Sequence, residues 1–176
     1  EAGVVGYKEA VAETFKEYGI LRKRLKLLVR FFPGALWTED HRQRMETMKA
    51  QLGYRRQRDV PAFFAAMYLV TANEEIFQSA ANCFCKRGFG PAYARLRDLS
   101  PHNYTLFMAA RGLCADCFGE SLPELQADPS FQYTNGITVA DLADPDVVDL
   151  EAFRLIIHAI LIARYGPATL NLGERG

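Results

Sequence analysis

Three histidines, four cysteines and one tryptophan in 176 residues leave little material for metal or redox chemistry. A histidine metal site or a Cys/His nucleophilic pair would have to be built from His41, His102 and His158 alone. The cysteines form no dense framework and fit a reducing cytoplasm better than a secreted, disulfide-stapled scaffold. No run reaches the roughly 18 to 20 consecutive apolar residues that a membrane-crossing helix needs; PAFFAAMYLV and LIIHAILIA come nearest. The opening residues, EAGVVGYKEA, lack a basic segment followed by an apolar run, so no secretory signal is expected. A phosphate-cradling glycine loop, a dinucleotide fingerprint, a nucleophile elbow and an HExxH motif are all missing. Together these absences point to a non-enzymatic cytoplasmic protein with no cofactor and no metal.

Net charge is missing too, with 21 basic against 21 acidic side chains, but the balance conceals a gradient. Residues 1–60 hold 13 Lys/Arg against 8 Asp/Glu, residues 61–125 hold 5 against 6, and residues 126–176 hold 3 against 7. Either the two ends attract one another in the fold, or the basic end faces a polyanion or an acidic partner.

What the chain does have is a helical apolar period and a core-forming composition of 49% hydrophobic and 12% aromatic residues. Tyr7, Val11, Phe15 and Tyr18 mark a first helix that Gly19 stops. Leu21, Leu25, Leu28 and Phe32 mark a second, ended by Pro33-Gly34. Thr38 reads as the N-cap of a third helix carrying His41, Met45, Met48 and Leu52. Asp59 and Pro61 open a fourth, to about Ala72, and Asn73 caps a fifth, expected to run through Cys83 and Cys85 to Gly88. A brief helix after Pro91 is possible on the same signals. Ser100-Pro101 opens a helix with Tyr104, Phe107, Met108, Leu113 and Cys117 on its stripe. Residues 120–146 break the pattern, apart from one or two turns at TVADLAD. Asp149 then starts a helix that is apolar almost all round, which predicts a central, buried element closed by Gly166-Pro167. The expectation is an all-α fold of about seven helices. Its parts would be a basic helical hairpin or extension over 1–33, a helical core domain over 34–166 and a frayed tail over 167–176.

The strongest surface signal is ILRKRLKLLVRFF. Arg22, Lys23, Arg24, Lys26 and Arg30, joined by Arg42, Arg44, Arg55, Arg56 and Arg58, are placed to bind nucleic-acid backbone or an acidic protein surface, with Phe31, Phe32 and Trp37 as apolar anchors. Membrane-surface or partner-helix binding suits the same amphipathic pattern, and a solvated outer face packed against the acidic end is the bland alternative.

Three further constellations carry possible chemistry. Glu151, Arg154 and His158 draw one polar line down the last helix, either the floor of a pocket for a polar ligand or a satisfied internal seam. Cys83-Phe84-Cys85 and Cys114-Ala115-Asp116-Cys117 supply four thiols. Within helices, 100° per residue puts Cys83 and Cys85 about 200° apart, so buried free thiols are expected rather than a zinc site. The acids Asp141, Asp144, Asp146, Asp149 and Glu151 fail the calcium-loop pattern, because Val148 falls at the fifth ligand position and Asp149 where glycine is required.

LWTEDHRQRM, AFFAAMYLVTANEEIF, LFMAARGLCADCFGES, TVADLADPDVVDLEAFRLI and HAILIARYG together resemble, over residues 36–166, a family of small all-helical proteins with a domain of unknown function. That family comes from gut-type Gram-positive bacteria and their phages and mobile elements. The resemblance implies a shared bacterial helical fold and brings no catalytic residues. This chain departs from it in residues 1–33 and in the Cys83/Cys85 pair. By context it implies a binding protein, such as a transcriptional regulator or an inhibitor of a host defence complex of the CRISPR nuclease kind. The expected partner is therefore a protein or nucleoprotein, with nucleic-acid binding as the alternative and an Arg154/His158 ligand site as a third reading.

Overall fold

Side-chain caps set where several of the helices begin, because the first N–H groups of a helix have no partner within it. In the computed structural model, which describes residues 7–31, 38–52, 61–85, 88–89, 99–113, 137 and 139–166, Thr38 Oγ1 accepts from His41 N at 3.2 Å. Asn73 Oδ1 accepts from Ile76 N at 3.1 Å, Ser100 Oγ from Asn103 N at 3.2 Å and Asp149 Oδ1 from Ala152 N at 2.8 Å. The described helices are α1 (Tyr7–Thr14), α2 (Arg22–Phe31), α3 (Glu39–Leu52), α4 (Pro61–Val70), α5 (Glu74–Ala80), α6 (Pro101–Leu113), α7 (Val139–Ala143) and α8 (Leu150–Tyr165). The fold is all-α, and a two-residue antiparallel ribbon, Phe84–Cys85 with Gly88–Phe89, is a minor addition.

α4 and α8 form the centre. Every residue from Phe63 to Val70 and from Leu155 to Ile162 is buried, as helices that are apolar all round require. α4 packs on α8 and on α6, and α6 also touches α8. α3 covers α4 with His41, Met45 and Met48, all buried. α1 lies against α8, and the 3₁₀ turn Gly19–Leu21 lies against α7. Ala10, Val11, Phe15, Leu21, Leu25 and Leu28 thereby join the same apolar cluster as the central helices. Thr14 Oγ1 donates to the Tyr165 hydroxyl at 3.4 Å, tying the end of α1 to the end of α8. Gly166 follows α8 at φ 92, a left-handed conformation that favours glycine.

Two helices end earlier than their apolar period predicts. α1 stops at Thr14, and Tyr18 N and Leu21 N bond three residues back, to Phe15 O at 3.1 Å and Tyr18 O at 2.9 Å, so the chain tightens and turns towards α2. α5 stops at Ala80. Ala81–Cys83 is a 3₁₀ turn and Phe84 is extended. Ile76, Ala80, Cys83 and Phe84 are buried at helical spacing all the same, so periodicity alone has no means of separating a continued helix from this turn. Leaving the helix sets the Phe84 ring edge-on to Phe63 at 5.2 Å. On α6, Tyr104 is exposed, and the inward face runs through Asn103, Leu106, Phe107 and Ala110.

Candidate functional site

The basic segment folds as α2, and its side chains divide between three directions. Leu25 and Leu28 enter the core. Arg24 turns to the acidic C-terminal part: its Nη1 donates to the Leu142 carbonyl at 2.7 Å and its guanidinium lies 4.6 Å from the centre of the Phe153 ring. Partial burial lowers the Arg24 pKa, and Asp149 and Asp144 oppose that shift. Arg22, Lys23, Lys26 and Arg30 stay exposed.

Arg22, Lys26 and Arg30 recur at i, i+4 and i+8, one line of a helix, and this line borders a groove of about 750 Å³ between α1 and α2. Buried Val11, Phe15 and Leu25 make its floor, with half-buried Tyr18 and Val29 beside them. Lys8 and Lys16 on the α1 side complete a rim of five exposed cations. Among the described residues, no carboxylate belongs to the lining. Lys16 bonds Glu13 at 2.9 Å, which raises the Lys16 pKa and lowers that of Glu13, chiefly through the hydrogen bond itself. Such an exposed pair yields readily to a better partner. Lys8 on α1 and Lys16 in the turn just after it stand eight residues apart, so a second pair of cations ahead of α2 is readable from the sequence. Its alignment with the α2 line depends on the turn at residues 14–21.

The remaining basic residues are dispersed. Arg42 pairs with Glu39 at 3.9 Å along α3. Arg44 donates to Thr71 O at 2.7 Å and Ala72 O at 2.9 Å, closing the C-terminal end of α4, where a cation also complements the helix dipole. Phe31 is exposed beside Arg30. Arg55, Arg56, Arg58, Phe32, Trp37, Cys114, Cys117 and the brief helix expected after Pro91 lie outside the described residues.

No family model, curated protein or solved structure matches this chain.

On α8, Arg154 Nε donates to Glu151 Oε1 at 3.1 Å, and its Nη2 reaches the other carboxylate oxygen. His158 is fully buried, with Nδ1 at 3.3 Å from the Tyr68 hydroxyl. The Tyr68 and His41 rings lie with centroids 4.5 Å apart and planes tilted by 34°, and His41 Nε2 lies 2.7 Å from Tyr68 O. A carbonyl only accepts, so His41 carries its proton on Nε2. Burial pushes the His41 pKa down from 6.5 to about 4; the Tyr68 carbonyl opposes the shift, while Arg44 and Arg154 add to it. This seam of His41, Tyr68 and His158 crosses three helices, and of its members only His158 stands out as a polar interruption in the sequence.

Cys83 is buried at the end of the 3₁₀ turn and Cys85 lies in the ribbon. Opposite faces of one helix therefore do not describe this pair. Among the described residues, no group of three or more His, Cys, Asp or Glu is placed to hold a metal ion. Asp144 accepts from Asp146 N at 2.9 Å in the turn before α8, and Asp149 is a cap. Burial alone would raise the Asp149 carboxyl, but the bonds from Ala152 N and His102 outweigh it and lower its pKa. Among the described residues no helix is long and apolar enough to cross a membrane.

Proposed function

We propose that this chain is a non-enzymatic binding protein that docks a protein or nucleoprotein partner in the groove between α1 and α2. One observation carries the reading: an apolar floor bordered by five exposed cations, with no carboxylate among the described residues of the lining. Apolar floors supply affinity by shedding water, and a rim in which cations predominate, even with Lys16 bonded to Glu13, supplies steering and selects an acidic partner. The resemblance to proteins of phages and mobile elements favours a host defence complex, such as a CRISPR nuclease, as the setting.

The test is capture from extract of the native host on immobilised wild-type chain and on the triple variant Arg22→Glu, Lys26→Glu, Arg30→Glu. These three side chains are exposed, so the variant is expected to keep its circular-dichroism melting curve. A partner retained after nuclease treatment and lost in the variant is the expected result. An identical captured set from both chains would overturn the reading. Capture that disappears with nuclease, together with duplex binding that weakens steeply with salt, would move the function to nucleic acid.

A further inference from the structure

We infer that the occupant of this groove is an acidic amphipathic helix of two to three turns on a partner protein, an inference that rests on the docking reading above. Arg22 and Arg30, with Lys26 midway, stand eight residues apart on α2, about 12 Å at 1.5 Å per residue. Lys8 on α1 and Lys16 in the turn after it border the facing side. Carboxylates at i, i+4 and i+8 of an incoming helix repeat with the same spacing as the α2 cations, and the apolar stripe beside them meets Val11, Phe15 and Val29. A duplex carries its charge on the outside of a wide cylinder and would touch the rim without entering the recess, leaving the half-buried Tyr18 and Val29 uncovered. A bilayer surface takes apolar side chains that project beyond their charges. Within the groove the order is reversed, with Val11, Phe15 and Leu25 buried and the five cations exposed; the exposed Ile20, Leu27 and Phe31 lie outside its lining.

The probe is a yeast-displayed library of 14-residue amphipathic helices with a randomised apolar stripe, made in two forms whose flanking positions are fixed as Asp/Glu or as Lys/Arg. Sorting against the full chain should enrich the acidic form only. The selected peptides should lose about tenfold or more in affinity against Lys26→Glu, Arg30→Glu and against Val29→Asp, each checked for an unchanged melting curve. Failure of the acidic library to enrich overturns the inference. So does enrichment that these variants leave intact, groove-dependent binding of a random duplex or of anionic phospholipid vesicles in its place, or self-association of the chain that the variants abolish. If the acidic library fails while the triple charge reversal still removes the captured partner, the helix is the wrong occupant and the groove remains the docking site. If the charge reversal leaves capture unchanged, the docking reading itself falls.

Discussion

At His41 a neutral imidazole is held in the core by a strong hydrogen bond to Tyr68 O at 2.7 Å, and its pKa is lowered to about 4. The unfolded chain takes up a proton near 6.5 and the folded chain only near 4, so between those values the unfolded state binds more protons. The His41 contribution is complete above pH 6.5 and declines as pH falls to about 4, by up to about 3 kcal/mol. Urea denaturation of wild type and His41→Gln at pH 7.5 and pH 5 measures it. Glutamine keeps an N–H for the Tyr68 carbonyl and does not titrate, so the variant should lose less stability on acidification. Arg24 offers a second single-residue test. Its bond to Leu142 O and its place over Phe153 predict a loss of about 1–2 kcal/mol for Arg24→Ala, whereas Lys23→Ala, one position away and exposed, should leave the denaturation midpoint unchanged. Equal losses would mean that Arg24 is not anchored inward.

Among the elements, α8 depends on its first turn. Asp149 caps Ala152 N and also bonds His102 Nδ1 at 2.8 Å, which links the start of α8 to α6. Asp149→Ala should cost about 1 kcal/mol. Asp149→Asn should recover most of it, since the amide oxygen still caps, and denaturation midpoints of the three proteins decide whether the cap or the bond to His102 dominates. Helix starts of this kind are legible in the sequence: Thr38, Asn73, Ser100 and Asp149 are short polar side chains immediately before an apolar period, and each acts within three residues. Helix ends are less legible. α1 and α5 end where the buried set still fits a helix, and the deciding contact, Phe84 on Phe63 for α5, comes from 21 residues away in the chain. The docking groove is half legible. The α2 cations can be read as a line, but whether they face solvent, the acidic end or another helix depends on how α2 lies against α1 and α7.

The whole molecule joins its basic and acidic ends at Arg24 and leaves the rest of the α2 cations outside. Val11, Phe15, Leu21, Leu25 and Leu28 share one cluster with α4 and α8. Truncating a single buried leucine to alanine costs about 2–5 kcal/mol, and an entire domain has only about 5–15 kcal/mol to lose. A chain lacking residues 1–33 is therefore expected to lose its cooperative thermal transition; a sharp transition in that fragment would show that the remainder folds alone. The charge gradient is visible from counting, whereas the seam of His41, Tyr68 and His158 is not, because it joins residues 27 and 90 apart through packing that no local pattern specifies. Finally, α2 faces the core with one side and the groove with another, so occupancy and folding are linked by mass action. A ligand that recognises only the assembled groove raises stability by about 2.7 kcal/mol at a concentration 100 times its Kd. The melting temperature thus becomes a screen in which a partner announces itself by its effect on folding alone.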